Sequence, residues 1–221
     1  MTNTKVNRRE ILAAAAALGL LPLRGIAEDR KMMTRPIHAS GEELSVVGLG
    51  TYSVFDVEST PEAIEIRKGI VDLLLGAGGS VIDTSPMYNR AEKVFGVVVK
   101  AGSPGDAMFF ATKVWTDGRD SGIAQMNRSA ELMNTDVIDL MQVHNLRDTG
   151  VHMQSIRQWQ EQGRIRYSGL THYTAGALDS LEAEMRKHKP QFIQINYSLA
   201  EREADQRLLP QARDLGIAVI I

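Results

Sequence analysis

The sequence predicts an α/β fold, a (β/α)8 or TIM barrel that is incomplete in this chain, with about seven strands and six helices. Short apolar runs recur about every 30 residues from residue 46 onward. Longer segments with helical spacing lie between these runs, which is typical of repeated βα units and a parallel sheet. The predicted strands are 46–49, 80–83, 108–113, 137–143, 165–170, 192–196 and 217–221.

A short β-hairpin is predicted ahead of the first barrel strand. Residues 33–37 and 44–45 flank the turn-like segment His38-Ala39-Ser40-Gly41. Glycine and serine favour a tight reversal of the chain, so the two flanking segments are expected to pair with each other.

Ordinary start and stop signals delimit the predicted helices. Thr60-Pro61 offers a cap followed by proline at the first helical position, and Gly78-Gly79 ends that helix. Its predicted buried stripe consists of Ile64, Ile70, Val71 and Leu74. The other predicted helices are 91–100, 123–133, 151–161, 175–187 and 203–215.

The chain stops inside the last apolar run, at Ile220-Ile221. Seven strands leave an eightfold barrel open, and the unpaired edges of the first and seventh strands would be an aggregation hazard. We therefore expect a barrel domain over residues 28–221 that lacks its C-terminal part. On this interpretation the 221-residue piece alone binds nothing, and the function belongs to the parent protein.

Composition narrows the function classes. With 43% apolar residues in 221, the chain can bury one substantial core, and one globular domain is the expectation. The formal charge of -2 provides no basic field, so nucleic acid is not a predicted partner. The absence of cysteine excludes disulfides, thiolate nucleophiles and cysteine metal sites, and no metal site is predicted.

The N-terminus has the pattern of an export signal. Arg8-Arg9 precede an apolar run, Ile11 to Leu21, that is shorter than the about 20 residues of a membrane-spanning helix. Gly25-Ile26-Ala27 then places small residues before a charged segment. The whole resembles a twin-arginine signal over residues 1–27. It implies the twin-arginine export machinery as a partner, a periplasmic protein and no stable membrane anchor; an amphipathic helix or a chance arginine pair is the alternative.

Three consecutive predicted strands each end at an ionisable residue. Asp83 ends the first of them, with Tyr88 in the loop that follows, and Lys113 and His144 end the next two. The carboxyl ends of barrel strands form the face where active sites are built. Each residue alone has an ordinary structural alternative, such as a turn cap, a packed aromatic, a surface charge or a core histidine. Together they favour a site, because a lysine buried after FFAT needs a carboxylate partner and Asp83 is on the neighbouring strand.

The motifs resemble those of the aldo-keto reductase superfamily, in that family's order, and cover residues 33–221. These blocks are GLGTY (48–52), IDTSPMYNRAEKVFG (82–96), ATKVW (111–115), DLMQVHN (139–145), GRIRYSGLTHY (163–173) and QINYS (194–198). The resemblance implies NADPH-dependent reduction of a small-molecule carbonyl, an aldehyde or ketone, to an alcohol. A developing alkoxide needs a proton donor. The resemblance makes Tyr88 this acid, assisted by Lys113 and by Asp83, while His144 orients the carbonyl oxygen and can assist proton transfer.

The resemblance also implies a set of cofactor contacts. They are Gly50, Thr51, Tyr52, Asp83, Thr171, His172 and Gln194. Thr171 and His172 stand where the family usually has Ser-Asn, which leaves the nicotinamide contact of His172 open, although imidazole also donates and accepts hydrogen bonds. For Gln194, a polar residue inside the barrel is the structural alternative. The family's contacts to the pyrophosphate and the 2′-phosphate would fall beyond Ile221, so the sequence leaves the choice between NADP and NAD open.

A second function class stays open at this point. The family includes members that keep the nucleotide and the four site residues yet act as channel subunits, which suggests a nucleotide-binding redox sensor or scaffold with little turnover. An export signal argues against a cytosolic channel partner.

Overall fold

In residues 32–221, a curled sheet of seven parallel strands is wrapped on one face by six helices. The computed structural model describes residues 32–221, so the predicted signal over residues 1–27 lies outside the described residues. The strands are β1 (Thr34–Pro36), β2 (Glu43–Ser45), β3 (Gly48–Gly50), β4 (Val81–Asp83), β5 (Phe109–Val114), β6 (Ile138–His144), β7 (Ile165–His172), β8 (Phe192–Ile195) and β9 (Ala218–Ile220). The helices are α1 (Pro61–Gly76), α2 (Ala91–Lys100), α3 (Arg119–Met133), α4 (Thr149–Glu161), α5 (Leu178–His188) and α6 (Leu208–Asp214).

Strand order confirms the predicted fold class. Strands β3 to β9 pair in chain order and in parallel, and a helix connects each strand to the next, as in a (β/α) barrel. Strands β1 and β2 form the predicted antiparallel hairpin, with Thr34 opposite Ser45. Among residues 32–221, β3 and β9 have no strand on their outer edges, and a cavity of about 800 Å³ lies between them.

Side-chain alternation divides each barrel strand between two cores. In β5, Phe109 and Ala111 face the barrel interior, whereas Phe110 and Val114 face the helices. All six residues of this strand are buried, which explains its nearly continuous apolar sequence. By the same alternation Lys113 belongs to the inner face.

An aromatic cluster fills the end of the barrel where the strands begin. The rings of Phe109, Tyr167 and Phe192 lie with centroids 5.6 to 6.0 Å apart. Ile37, at the end of the first hairpin strand, is 2% exposed and packs against this cluster. The barrel interior is therefore filled mainly by apolar side chains at the end where the strands begin.

Helix α1 begins as predicted. The Thr60 hydroxyl accepts a hydrogen bond from the Ala63 amide at 3.2 Å, and proline follows the cap. Ile64 and Val71 are buried, and the other members of the predicted stripe, Ile70 and Leu74, are half-buried.

The predicted boundaries of four other helices differ from the observed ones. The predicted helix 175–187 is divided: residues 175–177 form a 3₁₀ turn, and α5 follows from Leu178 to His188. Helices α3 and α4 begin four and two residues earlier than predicted, because their first turns are mostly polar and carry no apolar signal. The predicted helix 203–215 is divided: residues 203–205 form a 3₁₀ turn, and α6 begins after Arg207, whose ψ of -51° comes with an extended φ of -139°. No described helix is long and apolar enough to cross a membrane.

Gly96 sets the contact between α2 and α3. A Cβ atom at this position would lie 1.8 Å from the backbone oxygen of Leu132, so no larger residue fits without moving one helix. A Cβ atom added to Gly69, in the middle of α1, would have no atom within 4 Å apart from its own helix backbone.

Gly96→Ala is therefore expected to lower the free energy of unfolding by about 3 kcal/mol, because the methyl group would overpack a backbone contact. Urea denaturation followed by circular dichroism measures the change. Gly69→Ala is the matched control and is expected to raise stability by up to about 1 kcal/mol, since alanine is the better helix former. Equal stabilities of the two variants would contradict this account of the helix contact.

Candidate active site

The carboxyl ends of β4, β5 and β6 bring three of the predicted site residues together. Asp83 is the last residue of β4, Lys113 the penultimate residue of β5 and His144 the last residue of β6. Tyr88 lies in the loop between β4 and α2. The four side chains meet at one rim of the barrel because parallel neighbouring strands end at the same edge.

A buried ion pair forms the centre of this cluster. The Lys113 ammonium is 2.6 Å from Oδ2 of Asp83 and donates a second hydrogen bond to the carbonyl oxygen of Thr84 at 2.7 Å. Lys113 is 1% exposed. The side-chain amides of Gln142 and Gln194 also donate to the Asp83 carboxylate, each at 3.2 Å. Polar partners therefore surround both charges, as a buried ion pair requires.

Tyr88 lies within reach of the Lys113 charge. The ammonium nitrogen of Lys113 is 5.1 Å from the centre of the Tyr88 ring. The ring also makes edge-to-face contacts with Tyr52, at 5.1 Å between centroids, and with His144, at 6.2 Å. Lys113 donates its hydrogen bonds to Asp83 and Thr84 and makes none to the Tyr88 hydroxyl.

His144 is held as a neutral ring. It is 7% exposed, and burial together with the positive charge of Lys113 lowers its pKa from 6.5 to about 4. Its Nδ1 atom is 3.1 Å from the hydroxyl oxygen of Ser85, which accepts a hydrogen bond from the Met87 amide at 3.2 Å. When the Ser85 hydroxyl donates to Nδ1, the ring proton is on Nε2.

The predicted contacts at the end of β3 support Asp83 and Tyr88. Gly50 is in register with Asp83 on the adjacent strand. Thr51 is fully buried, and its amide and hydroxyl both donate to the main-chain oxygen of Asp83, at 2.9 and 3.1 Å. Tyr52 is 68% exposed and lies against the Tyr88 ring.

The remaining predicted contacts lie at the ends of β7 and β8. Thr171 is buried and pairs in register with both His144 and Gln194. Oε1 of Gln194 is buried and has no hydrogen-bond partner among the described residues. Nδ1 of His172 accepts a hydrogen bond from the Thr174 amide at 3.3 Å, and burial lowers the pKa of this ring.

Two polar residues beside the predicted four were not among the candidates from the sequence. Gln142 donates to Asp83, and Ser85 bonds His144. The signal for Gln142 is its place two residues before His144 in an apolar strand, which puts both side chains on one face. Among residues 32–221, no group of three His, Asp or Glu side chains is placed to hold a metal ion.

Comparison with known proteins shows the family to which the chain belongs. The sequence profile of the Aldo/keto reductase family matches residues 46–221. The chain belongs to this family. The aldo-keto reductase YhdN of Bacillus subtilis (strain 168) is 27% identical to it over 202 residues. That match covers 82% of this chain and 59% of YhdN, so the chain spans less than two thirds of that relative's length.

Solved aldo-keto reductases share the fold. The crystal structure of a thermostable aldo-keto reductase, Tm1743, in complex with the inhibitor epalrestat superposes with a TM-score of 0.73 at 22% identity, covering 85% of this chain and 71% of that one. A putative aldo-keto reductase from Pseudomonas aeruginosa gives 0.71 at 22% identity, with 88% and 79% covered. The holo form of AKR11C1 from Bacillus halodurans gives 0.69 at 21% identity, with 85% and 65% covered.

Removing the buried ammonium should destabilise this aldo/keto reductase domain strongly. Lys113→Met leaves Asp83 buried without its cation and is expected to lower the free energy of unfolding by about 3–5 kcal/mol in urea titrations. Lys93→Met, an exposed lysine of α2, is the control and should change it by less than about 0.5 kcal/mol. A small loss for Lys113→Met would show that the ion pair contributes little to stability.

The depressed pKa of His144 gives stability a pH dependence. Because the unfolded chain takes up this proton near pH 6.5 and the folded chain only near pH 4, acidification between these values favours unfolding, by about 3 kcal/mol in total. NMR titration of the His144 ring should give a midpoint near 4. Between pH 6.5 and pH 4, His144→Gln should lose less stability than the unaltered protein. A titration midpoint of His144 near 6.5 would contradict the prediction.

Proposed function

We propose that the full-length protein is an NADP(H)-dependent oxidoreductase that reduces an aldehyde or ketone to an alcohol, with Tyr88 as the general acid. The observation that carries the proposal is the buried Lys113 ammonium, paired with Asp83 and 5.1 Å from the Tyr88 ring. Burying a lysine costs free energy, and packing alone gives no reason to retain one at this position. Its charge acts where an adjacent phenol has to release a proton.

Carbonyl reduction needs a hydride at carbon and a proton at oxygen. The nicotinamide of NADPH supplies the hydride when it is bound. As negative charge develops on the substrate oxygen, Tyr88 donates its phenolic proton to that oxygen, and the Lys113 ammonium stabilises the phenolate that remains. Asp83 keeps the ammonium in place through the 2.6 Å contact.

His144 takes the role of a neutral hydrogen-bond donor in this mechanism. A pKa of about 4 keeps its ring uncharged at neutral pH, so it is not the source of the proton. With Nδ1 occupied by the Ser85 hydroxyl, Nε2–H is left to orient the carbonyl oxygen toward Tyr88. In this mechanism the Tyr88 phenol transfers the proton, and the His144 imidazole orients the substrate carbonyl.

The ends of β7 and β8 fit the carboxamide of a nicotinamide. An amide offers both donors and acceptors, and the buried Oε1 of Gln194 accepts no hydrogen bond from the described residues. Thr171 lies beside it in register, and His172 follows Thr171 at the strand end. We assign these three residues to the carboxamide, and Asp83 and the Gly50–Tyr52 segment to the border between nicotinamide and substrate.

Tyr88→Phe tests the acid. It is expected to lower kcat for NADPH-dependent reduction roughly 100-fold or more across a panel of aldehydes and ketones, because the ring stays and only the proton donor is lost. Tryptophan fluorescence quenching should show unchanged NADPH binding. Tyr167→Phe is the matched control, since its hydroxyl bonds Ser40 and Glu42 at the opposite end of the barrel.

Two outcomes would contradict this proposal. An unimpaired rate in Tyr88→Phe would show that another group is the acid. NADPH binding by the unaltered protein without turnover of any carbonyl in the panel would favour a redox sensor over an enzyme.

We also propose that residues 1–27 direct export through the twin-arginine machinery to the periplasm. The support is the order of Arg8-Arg9, a short apolar run and Gly25-Ile26-Ala27. This route carries folded proteins, so the nucleotide can be bound before export, and a reductase whose reductant is cytosolic would gain from leaving with it.

Replacing both arginines, Arg8→Lys with Arg9→Lys, is expected to retain the protein in the cytoplasm with residues 1–27 attached. Cell fractionation and N-terminal mass spectrometry measure this outcome, and the unaltered protein should begin at Glu28 in the periplasm. Arg24→Lys, outside the pair, is the control. Uncleaved, cytoplasmic protein from the unaltered gene would exclude export.

A further inference from the structure

One carboxylate joins two of the loops at the active-site rim, and the mechanism above does not use it. Asp56 lies in the loop between β3 and α1. It accepts hydrogen bonds from the side-chain amide of Asn89 at 2.8 Å, from the main-chain nitrogen of Arg90 at 3.4 Å and from the Arg90 guanidinium at 3.3 Å. Both donor residues belong to the loop that carries Tyr88.

Asp56 is well anchored on its own side. The preceding residue, Phe55, is fully buried and packs edge-to-face against Phe95 of α2 at 6.5 Å. The Phe55 amide also bonds the carbonyl oxygen of Thr51 at 3.0 Å. The hydrogen bond from Asn89 lowers the pKa of the Asp56 carboxyl, with smaller contributions from Arg90, so the group is ionised at neutral pH.

The residues that Asp56 holds follow Tyr88 directly. Asn89 has a φ of +50°, a left-handed conformation that asparagine tolerates better than most residues. Arg90 is the N-cap of α2 and makes no side-chain cap of its own, so the Asp56 carboxylate supplies an acceptor at this helix terminus. On the other side, the Tyr88 amide bonds the carbonyl oxygen of Ser85 at 2.9 Å. The Tyr88 backbone is therefore held from both directions.

We propose that Asp56 is a positioning residue for Tyr88. By holding Asn89 and Arg90, it fixes the main chain from which the phenol projects, and so sets the distance of the ring from Lys113 and His144. The same loop places Tyr52 against the Tyr88 ring, so one loop constrains both the backbone and the ring. This inference rests on the proposed role of Tyr88 as the acid. Asp56 itself contacts neither substrate nor nucleotide in this scheme.

Asp56→Asn tests the proposal. The neutral amide keeps the size of the side chain but offers one acceptor oxygen in place of two. Its NH2 group would face the N–H donors of Asn89 and Arg90. We expect kcat for carbonyl reduction to fall roughly 10- to 100-fold, because small displacements of a reacting group have effects of this size. KM and the Kd for NADPH should change less than about threefold, since these residues do not bind either ligand.

Glu58→Gln is the matched control. Glu58 is on the same loop and accepts from the same guanidinium of Arg90 at 2.6 Å, but its side chain is 74% exposed and it contacts neither Asn89 nor the Arg90 main chain. Its kcat should stay within about twofold of the unaltered enzyme, as expected for an exposed ion pair. An equal fall in kcat for both variants would overturn the specific role of Asp56.

A double variant separates this inference from the proposed function. In a Tyr88→Phe background, Asp56→Asn should cause no further loss of the residual rate, because the group that it positions is absent. If Tyr88→Phe alone keeps the full rate, the proposed acid is wrong. If Tyr88→Phe is impaired but Asp56→Asn leaves kcat unchanged, or lowers it equally in both backgrounds, the positioning role is wrong and the acid stands.

Circular dichroism would detect a failure of Asp56→Asn to fold. A second variant tests the proposal in that case. Asn89→Gly accepts the left-handed φ without strain and removes only the amide that Asp56 holds. It should lower kcat to a similar extent as Asp56→Asn. Folded Asn89→Gly protein with an unaltered kcat would overturn the proposal.

Discussion

The Lys113 ammonium, 1% exposed and 2.6 Å from the Asp83 carboxylate, is the interaction on which the rest of the site depends. Transfer of either charge alone into the barrel would cost several kcal/mol. The pair is retained because the Thr84 carbonyl oxygen gives the ammonium a further acceptor and two glutamine amides donate to the carboxylate. Side chains from four strands contribute to this arrangement, so the site forms only when the strands are in the observed order.

The two ends of the barrel interior have opposite characters. At the end where the strands begin, aromatic rings and Ile37 of the hairpin fill the interior. At the other end the same inward-facing positions carry Lys113 and Gln142. A rigid apolar base supports the polar rim, and the strand-to-helix loops that carry Tyr52 and Tyr88 are built on that rim.

Burial and the charge of Lys113 together determine the protonation state of His144 at the rim. Burial disfavours the charged form of the His144 ring, and the neighbouring positive charge of Lys113 adds to this effect, so the ring stays neutral. In the proposed mechanism the same lysine charge would stabilise the anion that remains when Tyr88 gives up its proton, while the neutral His144 ring donates a hydrogen bond.

The sequence by itself determined the strand and helix order, the hairpin, and the placement of Asp83, Lys113 and His144 at consecutive strand ends with Tyr88 in the loop after the first of them, because alternation, helical periodicity and turn residues are local properties. It also determined the family. Only the tertiary structure decided the starts of α3 and α4, whose polar first turns carry no apolar signal, and the hydrogen bonds of Gln142, Ser85 and Asp56. Asp56 and Asn89 are 33 residues apart, and nothing local to either residue specifies the other as its partner. Their contact exists because two strands place their loops side by side, which is a property of the folded sheet and not of any segment of the chain.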